Sequence, residues 1–108
     1  MNITNDPRAE AVIVRFEGSL DTNTAPQAQQ HFDALVDDGT TQIVVDFTDV
    51  DFVSSAGLRV LLATAKRLRP DGSLRLFGLN PSVREVFDVS GFSTIFPVFD
   101  DEASALAG

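Results

Sequence analysis

The chain has 108 residues, 44% of them hydrophobic, and no cysteine, which suits one domain that buries its own core and rules out disulfides, thiolate zinc sites and thiol catalysis. Sixteen Asp and Glu against eight Lys and Arg give a formal charge of −8, the wrong sign for a nucleic-acid or anionic-membrane surface and suited to a protein partner with basic patches. Met1 to Asp6 hold neither a basic stretch nor an apolar run, and no later segment approaches the roughly 20 apolar residues of a membrane span, so the expected location is the cytoplasm without direct membrane insertion.

In chain order, Val12-Ile13-Val14-Arg15-Phe16-Glu17 is β-branched and aromatic and reads as a strand, paired with the stretch around Ile3 across a turn containing Asn5-Asp6-Pro7. Thr24-Ala25-Pro26-Gln27 reads as a capping box with Pro26 in the first turn. The helix it opens carries Ala25, Ala28, Phe32, Leu35 and Val36 at three- and four-residue steps, and Asp37-Asp38-Gly39 stops it. Ile43-Val44-Val45-Asp46-Phe47 is nearly continuous in apolarity, as a central strand covered on both faces should be. Leu58, Leu61, Leu62, Ala65 and Leu68 form a second helical stripe that ends at Pro70-Asp71-Gly72. Ser73 to Phe77 is the next strand, so strand, helix and strand make a βαβ unit with parallel strands.

Asn80-Pro81 opens a third helix, with Val83, Val86 and Phe87 inward and Gly91 just past its end. Ile95 to Phe99 reads as an edge strand that tolerates Pro97, and Asp101 to Leu106 as a short acidic helix. The order β-β-α-β-α-β-α-β-α predicts one α/β domain over residues 1–108, a mixed sheet carrying helices, with functional loops where strands hand over to helices.

The segment from Asp46 to Leu58 joins the central strand to the second helix and holds three acids, two serines and a glycine. Two hydroxyl residues before a helical stripe are helix caps in the ordinary case. A serine at a helix N-terminus is also well placed to carry a phosphate, because free amides and the helix dipole favour negative charge there. The segment resembles the signature of the STAS family, in which an aspartate-rich stretch leads into Asp-Ser-Ser-Gly-Leu and the first serine is phosphorylated by an anti-sigma factor. Aligned on it, Ser54 stands at the family's aspartate, Ser55 at its phosphoserine and Ala56 at its second serine; the phosphoacceptor this implies is Ser55, with Ser54 the alternative. Gly18-Ser19-Leu20-Asp21-Thr22-Asn23-Thr24-Ala25 is similar to the family's Gly-x-Leu-Asp-x-x-Thr-Ala, and Pro81 to Phe92 to its C-terminal helix.

The resemblance implies a partner surface containing Asp21, Thr24, Asp49, Asp51, Ser54, Ala56 and Gly57. It further implies an anti-sigma factor antagonist with no catalysis, cofactor or metal of its own, switching partners between an anti-sigma factor with serine kinase activity and a metal-dependent serine phosphatase. A weak homodimer stays open. A stand-alone STAS subunit regulating a phospholipid-trafficking ATP-binding cassette transporter is the alternative. Gly57, in the first turn of the second helix, is expected to point any added side chain at the partner and therefore to tolerate alanine.

Enzymatic alternatives fail on inventory. His31 lies inside the first helix without a Gly-x-Ser-x-Gly elbow anywhere, a phospho-aspartate receiver built on Asp46 lacks a lysine at a late strand end, and no Gly-x-x-x-x-Gly-Lys loop occurs.

Overall fold

A computed structural model describes all of residues 1–108. Five strands, β1 (Asn2–Pro7), β2 (Val12–Leu20), β3 (Gln42–Val53), β4 (Ser73–Phe77) and β5 (Val98–Phe99), form one sheet in the order β1-β2-β3-β4-β5. The β1–β2 pair is antiparallel, placing Ile3 opposite Phe16, and the other three pairings are parallel. The helices are α1 (Ala25–Asp37), α2 (Ser55–Leu68), α3 (Pro81–Ser90) and α4 (Glu102–Ala107), with a 3₁₀ turn at Phe92–Thr94. The α/β architecture expected from the sequence is the one found.

Side chains alternate across the sheet, so it has two differently covered faces. Val14, Phe16, Ile43, Val45, Phe47, Leu74 and Leu76 point to the face covered by α1, α2 and α3, in one apolar cluster with Phe32, Leu61 and Phe87. Ala11, Ile13, Val44 and Phe77 point to the other face and pack on Ala105 of α4, with Phe99 and Leu106 alongside. Phenylalanine rings thread the larger cluster: Phe16 meets Phe32 edge-on at 5.6 Å, and Phe47 lies 6.0 Å from both Phe16 and Phe87. Such pairs add about 0.5–1.5 kcal/mol each beyond the area they bury.

Several local expectations change. The Asn5-Asp6-Pro7 stretch belongs to β1, and the turn is the following Arg8–Ala11 segment, closed by the Arg8 amide donating to the Ala11 carbonyl at 2.8 Å. β3 runs on to Val53, well past Phe47, because two bulges on it let it keep pairing with β2: Arg15–Glu17 faces Asp46–Asp49, and Gly18–Ser19 faces Val50–Phe52. Asp49 and Asp51 therefore lie on a strand and not in a loop. The Ile95–Phe99 strand is only Val98–Phe99, since Phe96 turns into the core beside Phe87 and Phe92. Asn80 caps α3 as read, accepting from the Val83 amide at 2.8 Å, and Gly91 closes it at φ +79°.

Arg15 ties α4 to the sheet. Its guanidinium donates to Asp46 of β3 and Asp6 of β1 at 2.8 Å and to Glu102 of α4 at 2.9 Å. Bonds from Arg8 and Arg15 hold the Asp6 carboxyl at a pKa of about 2, below its ordinary 3.8. Burial works against ionisation of Asp46, yet the bonds from Thr48 and Arg15 outweigh it and its pKa is also lowered. Groups with depressed folded pKa values stabilise fully above their unfolded pKa and lose that contribution as pH falls through the folded value. Thermal stability should therefore fall as pH drops from about 4 towards 2. Arg15→Gln should reduce stability at neutral pH and flatten that decline in a series of melting curves; an equally steep acid decline would contradict this account of the network.

Candidate functional site

β2 and β3 end side by side, Leu20 paired with Val53, and the Ser54 amide donates to the Leu20 carbonyl at 2.9 Å. At that edge the chain turns into α2. Ser54 keeps extended dihedrals (φ −92°, ψ 173°), its hydroxyl accepts from the Gly57 amide at 3.3 Å, and its carbonyl accepts from the Leu58 amide at 3.0 Å. Ser54 is thus the helix cap. Ser55 is the first helical residue, exposed, with no side-chain hydrogen bond. The two serines divide the work: one hydroxyl is engaged in holding the helix start, and the other is presented to solvent where amides and dipole favour an anion.

Asp21 stands at the end of β2 beside this turn. Its Oδ1 accepts from the Asn23 amide at 2.9 Å and the Thr24 amide at 3.1 Å, an Asx turn that closes the entry to α1. Thr24 Oγ1 accepts from the Asp21 amide at 2.9 Å and donates to the Ser19 carbonyl at 2.7 Å. The expected capping box does not form: Thr24 already has near-helical dihedrals (φ −97°, ψ −14°), its hydroxyl caps nothing, and Gln27 reaches away to the Met1 carbonyl at 3.0 Å. Asp21, three residues earlier, accepts from the Thr24 amide, the one that the Gln27 side chain would have taken in a capping box. Its carboxylate therefore organises the loop that the resemblance assigns to the partner surface.

The other singled-out residues fall in different places. Ala56 is half-buried against the core. Gly57 is buried, and an added Cβ would sit 2.7 Å from both Cγ and the carbonyl oxygen of Leu20, so it faces inward, contrary to the expected outward direction. Asp51 is exposed near the end of β3, at a depression it shares with Phe52, Val53, Ser82, Val83 and Val86. Asp49 lies further back, in a separate depression with Asn2, Thr4, Arg15 and Glu17. Asp46 is turned away from this edge, bonded to Arg15 and to the Thr48 amide. His31 Nε2 lies 2.6 Å from Asn5 Oδ1, remote from either serine in the chain. No group of three or more His, Cys, Asp or Glu is arranged to hold a metal ion.

A feature that sequence reasoning missed adjoins Ser55. An open groove of about 450 Å³ runs between α2 and α3, lined by Ser55, Leu58, Ser82, Glu85, Val86, Val89 and Ser90. Val89 is 81% exposed and Phe52, on the neighbouring depression, 51%. Asn80 ties the α3 wall to the sheet, donating from Nδ2 to the Val50 carbonyl of β3 at 3.0 Å while capping α3. The signal available in the sequence was Val89 itself, an apolar residue off the Val83–Val86–Phe87 stripe.

Residues 1–105 match the family model of the STAS domain. The chain belongs to the STAS domain family. This STAS domain is 42% identical to BtrV of Bordetella bronchiseptica, a protein named as a candidate anti-sigma factor antagonist, over 99% of this chain and 93% of the relative. It is 31% identical to the anti-sigma F factor antagonist of Paenibacillus polymyxa, over 88% of this chain and 83% of that one. Among solved structures, an anti-sigma factor antagonist from Mycobacterium paratuberculosis has the same fold, with a TM-score of 0.91 at 26% identity, covering 98% of this STAS domain and 91% of its counterpart. No helix of the STAS domain is long and apolar enough to cross a membrane.

Proposed function

We propose that this STAS domain is an anti-sigma factor antagonist of the cytoplasm that exchanges partners through phosphorylation of Ser55. The observation that carries the reading is the division of labour at the start of α2: Ser54 caps the helix and Ser55, one residue on, offers an unbonded, exposed hydroxyl. Ser55 is also the residue aligned with the phosphoserine of the family signature. Similarity to named antagonists supports the partner class, an anti-sigma factor; its serine kinase activity is what the family signature implies.

The chain's own part is passive. ATP binds the partner, which transfers the terminal phosphoryl group to Ser55 Oγ as the hydroxyl proton departs and ADP is left; a metal-dependent phosphatase returns the hydroxyl by hydrolysis. Unmodified, the apolar strip of Val86, Val89 and Phe52 beside Ser55 is available for docking. Phosphorylation adds about −1.5 to −2 charges and three acceptor oxygens at its edge. Glu85 lines the same groove and Asp51 the adjoining one, so the new charge accumulates on an already acidic rim and opposes a docked partner.

Titration of two variants with the anti-sigma factor tests this. Ser55→Ala should bind at wild-type affinity with or without ATP, since the cap belongs to Ser54. Ser55→Glu should bind at least about tenfold more weakly, a difference of about 1.4 kcal/mol, with the folds of the two superposing. Equal affinities would remove the basis for the switch. Co-purification with a transporter ATPase subunit in place of a small kinase would move the assignment to transporter regulation.

A further inference from the structure

Arg59 lies one helical turn beyond Ser55 on α2, and both side chains are exposed. Residues four apart share a helix face, and an anion at the earlier position with a cation at the later one is the favourable order along the helix dipole. Arg59 is also uncommitted. Arg8, Arg15 and Arg67 are engaged in ion pairs and Arg75 is buried, whereas no carboxylate lies within ion-pair distance of Arg59.

The surroundings of Ser55 give a phosphate a clear directional preference. Glu85 of α3 lines the groove that Ser55 lines, so a phosphate leaning over the groove meets a carboxylate. Asp51 near the end of β3 and Asp21 at the end of β2 are acidic as well. The direction along α2 leads to Arg59, a cation free of ion pairs; Arg84 of α3 is free as well, but Glu85 beside it, and not Arg84, lines the groove. We propose that Arg59 pairs with the phosphate on Ser55, laying the modified side chain along α2 and holding it in its dianionic form near neutral pH. This rests on the reading of Ser55 as phosphoacceptor and adds the residue that stabilises the phosphorylated state. In the unmodified protein Arg59 has no such role, so its effect appears only after phosphoryl transfer. A guanidinium suits it because it binds phosphate oxygens in pairs, where an ammonium acts as a point charge.

The test uses full-length protein carrying genetically encoded phosphoserine at position 55, so no kinase is needed, and follows the phosphate's second ionisation by phosphorus NMR. That ionisation ordinarily falls near pH 6. Arg59→Gln should raise it by about 0.3 pH unit relative to wild type, and Arg59→Lys should restore most of the difference. Lys66→Gln, two turns further along α2, should titrate as wild type. Coincident titrations of wild type and Arg59→Gln, or an equal shift from Lys66→Gln, would overturn the pairing while leaving Ser55 as phosphoacceptor. A cognate kinase that leaves Ser55 unmodified would sink that reading and leave the titration result standing.

Discussion

Gly57→Ala is expected to destabilise the domain by about 1–2 kcal/mol, although alanine is the better helix former by about 1 kcal/mol. An ideal Cβ at Gly57 falls 2.7 Å from the Leu20 carbonyl oxygen and 2.7 Å from Leu20 Cγ. The side chain can shift, but the carbonyl accepts from the Ser54 amide at 2.9 Å, and retreat would break the bond that joins the ends of β2 and β3. Overpacking of this kind costs about 1–3 kcal/mol and outweighs the gain in propensity. Denaturant unfolding of the variant beside wild type measures it, and an unchanged or higher midpoint would show that the contact relaxes without loss. Because the strain falls between Asp21 and Ser55, the substitution should also displace the start of α2, which makes Gly57 important to the site through its backbone alone.

Val89→Asn is expected to weaken binding of the anti-sigma factor by about tenfold or more while leaving the melting temperature unchanged. Val89 is 81% exposed, so the fold gains little from it. Placing an amide where the docked partner would cover an apolar side chain loses the burial of valine and adds a desolvation cost, together about 1.4 kcal/mol or more, a factor of about ten in affinity. The variant separates docking from phosphorylation, since Ser55 remains intact. Undiminished affinity would place the partner elsewhere on the surface, and a fall in melting temperature would mean that Val89 supports α3.

Much of this organisation is legible in the residues, and where it is not the reason is physical. Of the α2 stripe Leu58, Leu61, Leu62, Ala65 and Leu68, all but Leu62 are buried, and Leu62 packs half-buried against the core, because helical spacing and burial nearly coincide there. The second half of β3 reads as a loop because its bulges break the two-residue alternation: Thr48 and Asp49 are both exposed, as are Asp51 and Phe52. Thr24 has the pattern of a capping box, but pattern alone does not reveal that Asp21 takes the Thr24 amide that Gln27 would have bonded. Ser54 and Ser55 are both legible as helix-start residues, whereas their separation into cap and exposed hydroxyl depends on where β3 ends. The groove beside Ser55 lies where residues of α2 and α3 flank one opening, a tertiary relation that no local spacing encodes. Gly57 reads as outward-facing for the same reason, since helix propensity carries no information about Leu20.

The central claim is that Ser55 is the switch. Incubation of the protein with its anti-sigma kinase and ATP, followed by intact-mass and tandem mass spectrometry, tests it most directly. The account predicts a single added phosphate, mapped to Ser55 and absent from Ser55→Ala. Phosphate mapped to Ser54, whose hydroxyl caps α2, or modification of Ser55→Ala to the same extent as wild type, would contradict it.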